Sequence, residues 1–479
     1  MRSLLTYTIL LSLAASFASA QNVSTTEELI SAVRDGAEGR KIQIGPGIFE
    51  LPGPLELKTG MTLQGTGMGE TVITHTADWK PSTEALPKGE IRPDEANSQA
   101  YLIRLRDKAV NITISNLTLR GPQLHGAIFG ISNKRVGIHH LRIEDVLYSG
   151  IRFYFMKGSR IHDCEFIGAG GKWKRGGIPG VDGGISGGAI FATWMSDTEI
   201  ANNRFTHGRL DRRPGKAGGH YGIKGRGGRN IHIHHNTIGV NFSIEFPFEG
   251  NEGIEIDHNI LHGVVSIPKH GGGRVLEDGL RSFYIHHNYF TTSYAIEFPR
   301  NNVEISHNLF DFDVEKDGGN LVSGFGGVAS PGPALFHNNL VSNPGRGVIW
   351  NERAFTKLVI RNNHIITRTT ATPRKEGLFG LGGTDFSKTV IANNIIECQG
   401  QSRPLLRNEA SYGADIQNNR LTNVSDSERY KNPVTDATPG LEEELSFKCG
   451  VDEEITVDGW KTRSTKESEK GGGGTSKDE

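Results

Sequence analysis

Residues 220–228 read HYGIKGRGG and set His220, Tyr221, Lys224 and Arg226 within seven positions. An imidazole, a phenol, an ammonium and a guanidinium so close together are groups suited to moving protons beside an anion. Lysine and arginine hold carboxylates, arginine in bidentate fashion. Lys224 could act as a base where burial and positive neighbours disfavour its charge; a carboxylate beside it would do the opposite. Tyr221 or His220 could be the acid or share the work of the base. These groups match the three tasks of β-elimination from a uronate. The carboxylate must be neutralised, the C5 proton taken, and the leaving O4 protonated.

Similar short strands surround this cluster: GIRFYF, AIFATW, GIKGRG, SIEFPF, AIEFPR and VIWNER. Period-2 alternation turns Ile151, Ile190, Ile223, Ile244, Ile296 and Ile349 inward. The next residues then face outward: Arg152, Phe191, Lys224, Glu245, Glu297 and Trp350. Exposed strand faces are often polar without any function. Two features lift this column above that background. IEFP occurs twice, at 244–247 and 296–299, and glycines flank Lys224, which would leave its backbone open to a close ligand. Arg226, Arg152, Glu245, Glu297 and Trp350 are the candidate substrate-binding residues, with Lys224, Tyr221 and His220 the catalytic ones. Glu245 could position Lys224 or bind a metal; no metal is specified, and calcium is a possible cofactor. The rival chemistry is hydrolysis by a carboxylate pair drawn from Asp182, Glu245, Glu249 and Glu297. A third reading is a glycan-binding protein without catalysis.

The elements that position these residues come from a repeat. IANNRF, IHIHHNTI, IEIDHNIL, FYIHHNYF, VEISHNLF, ALFHNNLV, LVIRNNHI, TVIANNII and ADIQNNRL align on Asn203, Asn236, Asn259, Asn288, Asn308, Asn339, Asn363, Asn394 and Asn419. Leu117, Leu141 and Cys164 hold the equivalent place upstream. Short apolar strands at intervals of twenty-odd residues, without helices, predict an all-β, single-stranded, right-handed parallel β-helix. Asparagine suits the bend because it tolerates the left-handed region and its amide can hydrogen-bond along the stack. The neighbouring histidines are read as structural rather than as metal ligands.

The chain has 479 residues, 53 Lys plus Arg against 54 Asp plus Glu. That balance argues against nucleic acid as a partner. Residues 1–20 read as a signal peptide ending Ala18-Ser19-Ala20, which implies a secreted or periplasmic protein with no membrane span. Residues 21–463 form one catalytic domain, with 425–463 as a candidate C-terminal cap, and the charged, glycine-rich 464–479 read as a disordered tail. TTEELISAVRDG (25–36) predicts a capped amphipathic helix sealing the N-terminal end. Three cysteines allow one bridge, Cys398 with Cys449. Insertions at 168–188, 207–219 and 266–279 would wall a groove for an extended anionic polysaccharide bound by a monomer.

Most of residues 21–424 resembles the secreted parallel β-helix polysaccharide lyases. TEELISAVRDGAEGRKIQIGPGIFEL resembles their N-terminal cap and first coil. IKGRGGRNIHIHHNTIGVNFSIEF is similar in layout to the family 6 lyases, the alginate lyase and chondroitinase B group, with Lys224 at the place of their catalytic lysine. Glu245 and Phe246 stand where that family carries an arginine, and Ala217-Gly218-Gly219 where it carries acidic calcium ligands. The resemblance therefore leans toward a sister family such as the family 31 alginate lyases. It implies a lyase that cleaves a uronate polymer, alginate foremost.

Overall fold

A computed structural model describes residues 20–79, 97–173, 185–207, 217–247, 251–267, 281–292, 294–298, 303–312, 320–324, 333–351, 357–368, 377–381, 389–407, 413–430, 446–449 and 453–456. Successive coils pair in parallel and in register, so like positions stack into columns along the molecule. Among these residues the coils build a 28-stranded sheet, which runs through both arms of the asparagine bend, and a 14-stranded sheet on the other side. The chain is a parallel β-helix. Its core is a continuous column of aliphatic and aromatic side chains, none of which one coil could bury alone.

The helix forms at Thr26–Asp35. Its capping box is complete: the Thr25 hydroxyl accepts from the Glu28 N–H, and the Glu28 carboxylate accepts from the Thr25 N–H at 3.2 Å. Leu29, Ala32 and Val33 are buried against the first coils, so the helix covers the open end of the core. Ser446–Cys449 and Glu453–Thr456, within the candidate C-terminal cap, pair antiparallel. Cys398 and Cys164 are both buried free thiols, so the Cys398–Cys449 bridge does not form.

All nine asparagines occupy one ladder, headed by Cys164. The Cys164 N–H donates to Asn203 Oδ1 at 3.0 Å, and the Asn203 N–H to Asn236 Oδ1 at 2.9 Å. Every following rung repeats the bond, down to Asn394 and Asn419 at 2.9 Å. At the centre, Asn288 Nδ2 donates to the carbonyls of Ile256 (2.8 Å) and His286 (2.9 Å). Its Oδ1 accepts from both the backbone and side-chain N–H groups of Asn259. Removing that amide strands several buried groups, at about 1–3 kcal/mol each. Asn288→Ala is therefore expected to lower the urea midpoint sharply, and Asn419→Leu, which ends the ladder and lacks the bond to a following coil, to lower it less.

The residue before each asparagine sits at positive φ. His235, His258, His287 and His307 have φ of 54°, 52°, 53° and 55°. Their rings stack with centroids 5.0, 5.2 and 5.1 Å apart. Burial, with the neighbouring His286, His307 and His258, pushes the His287 imidazole down to about 4. The unfolded chain takes up this proton near pH 6.5 and the folded chain near 4. Between those values the unfolded state binds more protons, so this contribution to stability is present above pH 6.5 and falls as pH drops through the window. Asn338, Asn362 and Asn393 occupy the same column at positive φ. His287→Asn thus keeps the backbone and is expected to flatten the fall in melting temperature between pH 6.5 and 4.5; an unchanged slope would place the acid sensitivity elsewhere.

Candidate active site

The 14-stranded sheet carries the outward column. Arg152 pairs in register with Phe191, Phe191 with Lys224, and Lys224 with Glu245. The column then departs from the sequence alignment, because two further coils intervene. Glu245 pairs with Ser266, Ser266 with Glu297, Glu297 with Ser323, and Ser323 with Trp350. The core side of these coils holds Val265 and Val322 in place of isoleucine. VVS and LVS carry neither the isoleucine nor a chemically suggestive outward residue, so the alignment passed over them. Glu245 and Glu297 therefore lie two rungs apart, about 9–10 Å at the usual strand spacing.

Lys224 and Glu245 form an ion pair at 2.6 Å, with side chains only 8% and 15% exposed. The Lys224 ammonium also lies 4.5 Å from the centre of the Tyr221 ring and 5.5 Å from that of Phe191. Tyr221 is buried and stacks on Phe242 of the next coil at 4.4 Å. The structure thus brings Lys224, Tyr221 and Glu245 together. The condition for a lysine base, positive neighbours, is not what surrounds Lys224; a carboxylate at 2.6 Å favours its charged form. Arg226 is half-buried, with its guanidinium 5.5 Å from the Phe191 ring.

Arg152 is fully buried. Its Nη1 donates to the Phe153 carbonyl at 2.5 Å and its Nη2 to the Thr193 hydroxyl at 2.9 Å. Tyr154 and Phe191 stack on it at 3.9 and 4.0 Å. In this position Arg152 props Phe191 from behind and does not present itself to a polymer, contrary to the sequence expectation of a substrate-binding arginine. The glycines beside Lys224 also differ from expectation. A Cβ on Gly225 would lie 2.2 Å from the Phe246 ring, and one on Gly222 2.6 Å from the Ser243 carbonyl. Both positions are filled by protein; they allow close packing of coils rather than close approach of a ligand.

His220 is buried, and its N–H donates to Asn241 Oδ1 at 3.1 Å. It faces the exposed His207 ring edge-on at 5.3 Å. Its strand, Ala217–Gly225, begins in a small antiparallel sheet with the insertion strands Gly171–Trp173 and Ile185–Ser186, where Gly171 pairs with His220. The described part of this insertion thus pairs directly with the strand that carries Lys224. The remainder of the three expected insertions, Asp182 among it, lies outside the described residues, as does Glu249.

Farther along, Glu297 Oε1 accepts from the Tyr294 hydroxyl at 3.0 Å and Oε2 from the Ser266 hydroxyl. Ser266 and Tyr294 were not singled out from sequence. The Arg407 guanidinium stacks on Trp350 at 3.6 Å from the ring centre, above Gly380, where a Cβ would meet that ring at 2.1 Å. Arg407 escaped sequence reasoning because it follows the last strand that the alignment reached.

No family model and no curated protein matches the chain. Its fold is similar to solved structures of the tailspike protein of E. coli bacteriophage HK620. A double mutant of that protein aligns with a TM-score of 0.50 at 10% identity, over 82% of this chain and 76% of the other. The tailspike in complex with a pentasaccharide aligns at 0.49 and 10%, over 84% and 74%. At that identity the likeness shows the fold alone.

Burying one charge without its partner costs about 3–5 kcal/mol, whereas replacing both by apolar groups is often neutral. Glu245→Leu alone is expected to destabilise the protein by about that amount. The double variant Lys224→Met with Glu245→Leu should recover most of the loss, as read by urea unfolding.

Proposed function

We propose that this protein is a polysaccharide lyase that cleaves a uronate polymer, alginate foremost, by β-elimination. The observation that carries the reading is the buried Lys224–Glu245 pair with the Tyr221 ring against it, on a strand whose first residues pair with the insertion strand Gly171–Trp173. A buried ion pair adds little to stability compared with apolar packing, and such groups collect at functional sites.

Glu245 keeps Lys224 charged. The ammonium, with Arg226 just past the end of the same strand, neutralises the uronate carboxylate and supports the negative charge that develops on it. Tyr221, whose ring lies 4.5 Å from the Lys224 ammonium, is the proton-transfer group and acts as its phenolate. The phenolate takes the C5 proton, the C4–O4 bond breaks as the C4–C5 double bond forms, and the phenol returns the proton to O4. Atoms and charge balance with no outside reactant. Trp350 with Arg407, farther along the column, offers a platform and a cation for a distant sugar.

One observation favours a second reading. Glu245 and Glu297 share the outward column with backbones two rungs, about 9–10 Å, apart, and inverting hydrolases hold their carboxyl groups about 6.5–9.5 Å apart. Product mass separates the two. Each elimination yields an unsaturated end lighter by one water than the corresponding hydrolysis product. The expected result on alginate, chondroitin sulfate, pectate or ulvan oligosaccharides is the lighter product from one of the four. Tyr221→Phe should lower its rate by about 10²–10⁴-fold with the fold unchanged. Water-added products, or full turnover by Tyr221→Phe, would overturn the assignment.

A further inference from the structure

The histidine-rich face of the 28-stranded sheet, away from the Lys224 column, holds two carboxylates on one strand. Glu255 and Asp257 lie two residues apart in Glu252–Asp257 and so project from the same face. His232, on the preceding coil, pairs in register with Glu255 and places its Nε2 2.6 Å from Asp257 Oδ1. One donor atom from each of the three residues lies within 4.8 Å of the others.

We propose that His232, Glu255 and Asp257 form a binding site for a late first-row divalent cation such as zinc, clamping two successive coils. One imidazole nitrogen and two carboxylate oxygens leave the fourth position of a tetrahedron to water. That donor set suits zinc and its neighbours better than calcium, which takes six to eight oxygens. Bonds of about 2.0–2.2 Å put tetrahedral ligand atoms about 3.3–3.5 Å apart. His232 and Glu255, with side chains 42% and 44% exposed, can rotate to that spacing about Asp257, which is 8% exposed and fixed.

The second observation is how the carboxylates are held from outside the trio. His258 Nδ1 bonds Asp257 Oδ2 at 2.6 Å, and His286 Nε2 bonds Glu255 Oε1 at 3.0 Å. Hydrogen bonds of this kind orient metal-binding carboxylates. Other carboxylates on this face are neutralised differently: Arg160 pairs with Glu199 and Arg281 with Glu304. Among the described residues no lysine or arginine pairs with Glu255 or Asp257. The two carboxylates here are therefore balanced by imidazoles, which can give up a proton to an incoming cation, where their neighbours also meet a fixed guanidinium.

The test uses the full chain, stripped with chelator and dialysed. Zinc is titrated by calorimetry, and cobalt serves as a spectroscopic probe of geometry. The expected result is one saturable site, a cobalt spectrum of tetrahedral intensity, and a higher melting temperature in zinc but not in calcium. His232→Gln and Glu255→Gln alter exposed side chains and should fold normally yet lose the site. His258→Asn keeps a residue tolerant of positive φ and should weaken binding by about 10–100-fold. No saturable binding by the wild-type chain would overturn the proposal. So would undiminished binding by both glutamine variants, which would place the ion on other histidines of this face.

Discussion

The structure depends on one constraint: each coil must stack on the last with its residues in fixed register. A slip of one residue would turn the isoleucine column outward and the charged column into the core. The asparagine ladder enforces the register. Asn288, at its centre, binds its own coil's backbone and the coils on either side, so a displaced coil would leave buried amides without partners. The apolar core rewards stacking in general, whereas the ladder selects this stacking in particular.

Register converts a linear repeat into chemistry. Lys224 and Glu245 are twenty-one positions apart in sequence, yet register sets them opposite one another, and the pair closes to 2.6 Å in partial burial. Tyr221 reaches the same point because its ring stacks on Phe242, one rung down. The same rule operates on the other sheet, where it sets His232 against Glu255. Each site thus comes from neighbouring coils held by a scaffold that has little freedom to adjust.

The fold was legible because its signal recurs. The nine asparagines, the inward isoleucines and the Thr25–Glu28 cap each state a local rule, and the structure obeys all three. The site was legible in part. Lys224, Tyr221 and Glu245 were named from residue type and alternation, and they meet. Arg152 was misplaced because alternation says which way a side chain points and nothing about what lies over it; Tyr154 and Phe191 enclose it. The glycines at 222 and 225 were assigned to a ligand, since sequence does not reveal that Phe246 and Ser243 fill their space. Ser266 and Ser323 were missed because a coil of small residues carries no motif, and with them the true spacing of Glu245 and Glu297. The histidines, read from repetition as purely structural, include one strand pair whose carboxylates meet imidazoles and, among the described residues, no lysine or arginine, a property visible only in three dimensions.

The measurement that tests the central claim most directly is the ultraviolet absorbance of a poly-uronate solution after addition of the purified chain. β-Elimination leaves a conjugated double bond at each new end, so the account predicts absorbance that rises with time and in step with chain shortening. New reducing ends without that rise would mean hydrolysis and would contradict it.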